Sequence, residues 1–181
     1  MSFKPMDFNR LLDERGFKRD IAGEEDYAAA VKACELAFNN PEKRRGIIIG
    51  GDYGVGKTCL AQAICALFTV APFRLNLGLP SQSEKLGGAW QENYGENLYG
   101  QSVYLDDLGA EKPVNEYGVV TNYAAAFLMI YHYRGSGRLI ITTNCNVNEL
   151  DARYGGRVLS RLKDLCVPVR LKGKDKRIWE L

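Results

Sequence analysis

The stretch Gly46-Ile47-Ile48-Ile49-Gly50-Gly51-Asp52-Tyr53-Gly54-Val55-Gly56-Lys57-Thr58 decides the fold. Three successive isoleucines are β-branched, and a run that is apolar on both faces suits a central strand of a parallel sheet. Directly behind it, Gly51–Thr58 matches the pattern G-x-x-x-x-G-K-[ST] of a phosphate-binding loop. Glycines let the backbone bend so that successive N–H groups point inward at phosphate oxygens. A helix predicted to start near Gly56 adds its unpaired N–H groups and positive dipole end to the same anion site. Gly51, Tyr53, Gly54, Val55, Gly56, Lys57, Thr58 and Cys59 are therefore expected around the phosphates of ATP or ADP. Lys57 is placed to reach the β- and γ-phosphates, and the Thr58 hydroxyl to ligate Mg²⁺.

Outward from the loop, strand and helix patterns alternate. Leu60, Ile64, Leu67 and Phe68 share one helical face behind it. Ahead of it, a short amphipathic helix carrying Phe8, Leu11 and Leu12 is predicted to end near Gly16. A longer helix is predicted from Glu24 to about Asn39, where Tyr27, Ala30, Val31, Cys34 and Phe38 keep one apolar stripe. Pro41 stops it. Residues 73–77 alternate weakly like a strand, and residues 78–100 are polar and glycine-rich, with Trp90, Tyr94 and Tyr99 scattered among them. Ser102–Leu105 reads as a strand, and a helix is expected from about Asn115 to Arg134, with Val120, Tyr123, Ala124, Phe127, Ile130 and Tyr131 on one face. Leu139–Thr143 is a third strand, Val147–Arg153 and Arg157–Leu165 are short helices, and Cys166–Leu171 is a last strand that Pro168 assigns to a sheet edge. Alternating strands and helices give an α/β fold with a mostly parallel sheet. Residues 1–23 are read as a short N-terminal segment and residues 24–181 as one core.

Three polar features sit where such sheets bind ligands, at the carboxyl ends of strands. The strand Val103-Tyr104-Leu105 delivers Asp106 and Asp107. Asp-Asp after a strand alone is a common turn, but behind a phosphate loop Asp106 is the candidate to hold Mg²⁺ opposite Thr58. Asp107 is then the candidate to orient or deprotonate an attacking water. Asn144, at the end of Leu139–Thr143, is either a turn former or an amide that bonds the γ-phosphate or the water. Arg157 and Arg161 stand at i and i+4 on one helix face. They make a solvated face, or they enter a neighbouring subunit's site as arginine fingers.

Bulk properties exclude several classes. The chain has 181 residues, 46% hydrophobic and 25% charged, with a formal net charge of +2. That is globular composition with too little charge to argue by itself for nucleic acid or a membrane. No apolar run approaches a membrane span and the N-terminus has no apolar signal core, so a cytoplasmic protein is expected. The five cysteines have no C-x-x-C pair and no metal spacing with the single histidine, His132, and read as free thiols. Lys43–Arg45 and the Lys172, Lys174, Lys176 and Arg177 cluster are solvated surface or DNA contacts, and Tyr94 and Tyr99 pack or stack on bases.

The ordered set Ile47–Gly50 into the loop, Tyr104-Leu105-Asp106-Asp107-Leu108-Gly109-Ala110-Glu111, Tyr133-Arg134, Ile140–Asn144 and Gly156-Arg157-Val158-Leu159-Ser160-Arg161-Leu162 resembles the AAA+ ATPase core of the DnaC/DnaI helicase loaders and the related IstB transposition ATPases. The resemblance covers roughly residues 25–175. It implies a P-loop NTPase three-layer sandwich without a C-terminal lid. It implies Walker B roles for Asp106 and Asp107, a γ-phosphate sensor at Asn144, and a finger at Arg161 acting in trans beside Arg157. It also implies ATP-coupled self-association on single-stranded DNA and a replicative helicase as partner. An IstB-like transposition helper, a small-molecule kinase and a slow nucleotide-dependent switch are the other readings; a kinase of this size should show an arginine-rich lid and an acceptor pocket. About 50 residues precede the loop, which is short for an independent partner-binding domain.

Overall fold

The computed structural model describes residues 5–14, 23–39, 44–67, 73–76, 100–116, 119–173 and 175. In chain order the elements are α1 (Pro5–Glu14), α2 (Glu24–Asn39), β1 (Gly46–Gly50), α3 (Lys57–Leu67), β2 (Phe73–Asn76), β3 (Val103–Leu108), β4 (Val114–Glu116), β5 (Val119–Thr121), α4 (Tyr123–Arg134), β6 (Leu139–Thr143), α5 (Val147–Tyr154), α6 (Gly156–Leu165) and β7 (Cys166–Arg170). The central sheet has the order β2-β3-β6-β1-β7, and every pairing in it is parallel. Both neighbours of β1 come from far along the chain, so right-handed crossovers through helices are required and both faces become covered.

The two-residue period of the strands sorts their side chains onto two cores. Ile47 and Ile49, with Tyr104, Ile140, Val167 and Val169, face one layer built from α1, α2 and α3. Val103, Leu105, Leu139, Ile141 and Cys166 face the other, built from α4, α5 and α6, and Ile48 packs there too. The isoleucine run is thus divided between two layers, which is why it is apolar at every position. The result is a three-layer α/β/α sandwich. The N-terminal helix joins it rather than standing apart, since Phe8 and Leu12 are buried in the first core. Cys34 and Cys166 are buried, and burial pushes both thiols up to about 12. The five cysteines are free.

Most expected boundaries hold to within a residue or two. One exception is the strand expected over Ser102–Leu105, which runs on to Leu108 and takes Asp106 and Asp107 into it; the other is the helix expected from Asn115. Val114–Glu116 and Val119–Thr121 instead pair as an antiparallel two-stranded sheet, and the helix starts at Tyr123. Val119-Val120-Thr121 is a β-branched run, which loses rotamer freedom in a helix and fits a strand. Asn122 then acts as N-cap, its side chain accepting from the Ala125 amide at 3.1 Å. Val120 therefore lies outside the helical face. Phe68, Lys43, Lys174, Lys176, Arg177, Trp90, Tyr94 and Tyr99 lie outside the described residues. No helix of the described residues is long and apolar enough to cross a membrane.

The cap gives a direct check on the corrected helix start. Asn122→Ala should lower unfolding free energy by about 1 kcal/mol, measured by urea denaturation. Asn115→Ala, which would matter only for the longer helix, should leave it within about 0.5 kcal/mol.

Candidate functional site at the carboxyl edge of the sheet

The phosphate loop leaves β1 and runs straight into α3, as its glycines require. Gly54 has φ 74° and Gly56 φ 96°, conformations that side chains other than glycine rarely adopt. A Cβ at Gly51 would lie 2.6 Å from the Leu171 carbonyl oxygen. The segment after β7 holds the loop from outside: the Leu171 amide donates to the Gly50 carbonyl at 2.9 Å, and the Asp175 carboxylate lies against Gly54. Lys57 is 6% exposed and its Nζ donates to the Asp52 carbonyl at 2.6 Å, folding the ammonium back over the loop. It also lies 5.9 Å above the ring of Tyr53, itself 68% exposed. Val55 is buried under the loop, and Thr58 and Cys59 are half-buried on the first turn of α3.

Asp106 is the centre of the site. It is 2% exposed and belongs to β3. Its Oδ1 accepts from the Thr142 hydroxyl at 2.6 Å, the Tyr104 hydroxyl at 2.7 Å and the Thr58 hydroxyl at 3.3 Å. Its Oδ2 accepts from an Arg74 guanidinium N–H at 3.0 Å. Burial, then the adjacent Asp106 charge, pushes the Tyr104 hydroxyl well above its ordinary range, so it stays a donor. Asp106 and Thr58 are hard oxygen donors facing each other, which fits Mg²⁺ held by few protein ligands and completed by phosphate oxygens. Among the described residues there is no group of three His, Cys, Asp or Glu side chains to hold a metal without that help.

Two successive strand residues normally point to opposite faces, yet Asp107 also serves this edge. The β3–β6 register shifts between Leu105 and Leu108, and Asp107 has φ 59°, the positive-φ non-glycine residue among those described. The bulge re-aims its side chain. Its amide donates to the Thr142 hydroxyl at 2.9 Å, which pins the bulge to β6. The Asn144 amide nitrogen then lies 3.4 Å from Asp107 Oδ1, while Asn144 Oδ1 is buried without a hydrogen bond. Asn144 Oδ1 thus keeps acceptor capacity beside that carboxylate.

Glu111, which the sequence reading gave no role, braces this edge. It is 4% exposed and accepts from the Gly109 amide at 2.9 Å, from Arg153 Nε at 3.2 Å and from the Tyr154 hydroxyl. Arg153 also donates to the Glu111 carbonyl. Gly109, at φ 101°, has Cys145 so close that a Cβ would overlap its sulfur.

The arginine pair lies elsewhere. Arg161 donates to the Tyr133 hydroxyl at 2.7 Å, stacks its guanidinium 5.2 Å from that ring and lies 3.5 Å from Asp164. Tyr133 is at the carboxyl end of α4, and the preceding turn of that end accepts from Arg45, just ahead of β1. Arg161 is thus at the amino edge of the sheet, across the molecule from its own phosphate loop. Arg157 is exposed on the same helix. His132 lies 3.6 Å from Asp164; burial and then the Arg161 charge hold it below its usual value, so it is neutral at pH 7.

Of the expected site residues, the loop, Thr58, Asp106, Asp107 and Asn144 come together, and Arg157 and Arg161 do not. The sequence reading missed Arg74, Tyr104 and Thr142 as partners of Asp106. Tyr104 and Thr142 stand at strand positions an apolar residue would fill, which is the signal that marks them.

No protein-family model matches the chain, and no curated protein matches it. Solved structures do. A crystal structure of the DnaC helicase loader matches with TM-score 0.64 at 20% identity, covering 92% of this chain and 99% of that one. The chain shares the fold of that helicase loader. A DNA replication initiation factor matches with TM-score 0.58 at 17% identity, over 81% of this chain and 47% of that one. NtrX from Brucella abortus, solved with ATP, matches with TM-score 0.57 at 19% identity, over 90% of this chain and 42% of that one. At these identities the likeness carries the fold alone.

The brace has a measurable weight. Glu111→Ala should cost about 2–4 kcal/mol by leaving Arg153 and Tyr154 without their buried acceptor. Glu111→Gln should cost clearly less. Urea unfolding checks this, and a loss under about 0.5 kcal/mol for the alanine variant would show that solvent replaces the contacts.

Proposed function

We propose that this chain is an ATPase that acts in DNA replication in the cytoplasm, as a helicase loader that assembles on single-stranded DNA. The observation that carries the ATPase reading is the Thr58–Asp106 pair beside the glycine loop, with Asp107 and Asn144 converging on one point next to it. The likeness to the DnaC helicase loader along the whole of that chain supports the replication role, and the replicative helicase is the partner it suggests.

In this reading the loop amides and Lys57 bind the phosphates, and Lys57 exchanges the Asp52 carbonyl for phosphate oxygens. Thr58 and Asp106 hold Mg²⁺, which when bound neutralises charge developing on the β- and γ-phosphate oxygens. Asn144 Oδ1 accepts from the attacking water and Asp107 takes its proton. Arg161, too far from its own loop, completes the site of a neighbouring copy, with Arg157 at the same junction. That copy must first draw Arg161 off Tyr133 and Asp164, so turnover depends on assembly.

The test is ATPase rate against protein concentration, with and without single-stranded DNA. Lys57→Ala should abolish ATP binding. Arg161→Ala should keep ATP binding and lose turnover by about 1000-fold or more, and the parent's rate per molecule should rise with concentration or DNA. A rate per molecule indifferent to concentration, DNA and Arg161 would move the assignment to a monomeric kinase or a simple nucleotide switch. Stimulation by a transposase and not by DNA would favour the transposition helper.

A further inference from the structure

Arg74 stands on β2, at the edge strand next to β3, in register with Tyr104. Its guanidinium bonds Asp106 Oδ2 at 3.0 Å and lies 5.1 Å from the centre of the Tyr104 ring. The arginine side chain is 47% exposed while the aspartate is 3% exposed. The pair is therefore lopsided: a buried carboxylate with a partner that water can reach from one side. Among the described residues, Asp106 also accepts from the neutral hydroxyls of Tyr104, Thr142 and Thr58. Arg74 is its ion-pair partner, at the carboxylate assigned to the metal.

A guanidinium and a divalent cation are both attracted to this carboxylate, and they repel each other. We propose that Arg74 is a positioning residue that exchanges with Mg²⁺ at Asp106, so that it sets the magnesium concentration at which nucleotide is bound. It rests on the reading of this edge as an ATP–magnesium site. Arg74 keeps the carboxylate charge balanced and pointed at Thr58 in the metal-free protein. When Mg²⁺ is taken up, the arginine gives up Oδ2, and its exposed side lets it withdraw along the Tyr104 ring without itself becoming buried. The built-in cation makes the site demand more magnesium than the Asp106–Thr58 pair alone would.

The exchange is read from the Mg²⁺ concentration that gives half-maximal binding of a fluorescent ATP analogue, for the parent, Arg74→Ala and Arg74→Lys. Arg74→Ala should lower that concentration by roughly five- to tenfold, the order expected from removing one partly screened charge beside the ligand. Arg74→Lys keeps the charge and should stay within about twofold of the parent. Analogue binding in excess EDTA should be the same in all three, since Arg74 acts through Asp106. Far-ultraviolet circular dichroism and melting midpoints confirm that each variant is folded; the three hydroxyl donors remain in both. An unchanged Mg²⁺ midpoint in folded Arg74→Ala would overturn the exchange while leaving the ATP site standing. A higher midpoint, or weaker binding in EDTA, would overturn it in favour of direct contact between Arg74 and phosphate. A parent that binds no nucleotide at any Mg²⁺ concentration would remove the ATP site itself and the exchange with it.

Discussion

A carboxylate that is almost wholly buried sets the terms for the rest of this structure. An ionised aspartate removed from water costs several kcal/mol unless charge and hydrogen bonds replace its hydration. Asp106 is served by donors from four elements: Arg74 on β2, Tyr104 on β3, Thr142 on β6 and Thr58 on α3. Those donors reach it only if β2, β3 and β6 are neighbours in register and α3 leaves β1 at the right angle. The strand order and the phosphate loop are therefore coupled through one side chain. A shift of any strand by one residue would turn its donor to the opposite face and leave the charge short.

What the sequence made legible was whatever is dictated locally. The isoleucine run, the glycine loop, the helix over Glu24–Asn39 and the strand over Leu139–Thr143 each carry their own pattern, and each forms as expected. The proline in β7 marked an edge strand before any pairing was known. Illegible features depend on partners distant in sequence. Arg74 looks like an ordinary surface arginine until β2 is laid beside β3. Glu111 gains its importance from Arg153 and Tyr154, more than forty positions away. The bulge at Asp107 is invisible because a regular strand would have placed the same residues in the same order, differing only in where one side chain points. The misplaced start of α4 is a different failure: a helical apolar period and a β-branched run overlapped at Val119–Thr121, and the asparagine that caps the helix at its true start was passed over.

The two ends of the sheet differ in character. At the carboxyl edge, polar groups gather around Asp106, and the bulged Asp107 is held in a backbone conformation that carries a cost of roughly 1–3 kcal/mol. Such strain persists where the surroundings over-determine it, and here Thr142 does so by bonding both the Asp107 amide and the Asp106 carboxylate. At the amino edge, Arg45 ties the strand entry to the end of α4, while Tyr133, Asp164 and His132 gather around Arg161. One residue, Thr142, thus joins the geometry of the two aspartates, and a separate cluster governs the arginine. The molecule keeps its two charged centres apart by the full length of the strands.

Pro168 has a consequence for how this molecule can meet its own copies. It lies on β7, an outer strand of the sheet, exposed and opposite Ile48 in the β1 register. The Leu171 amide turns inward to Gly50, so by the two-residue alternation Pro168 falls among the positions that face outward. The outward rim of that strand consequently lacks an N–H where a docking strand would seek one. That missing donor disfavours growth by continuing the sheet from one molecule into the next on that side. Contacts made there through side chains can be broken and remade without unzipping a backbone ladder.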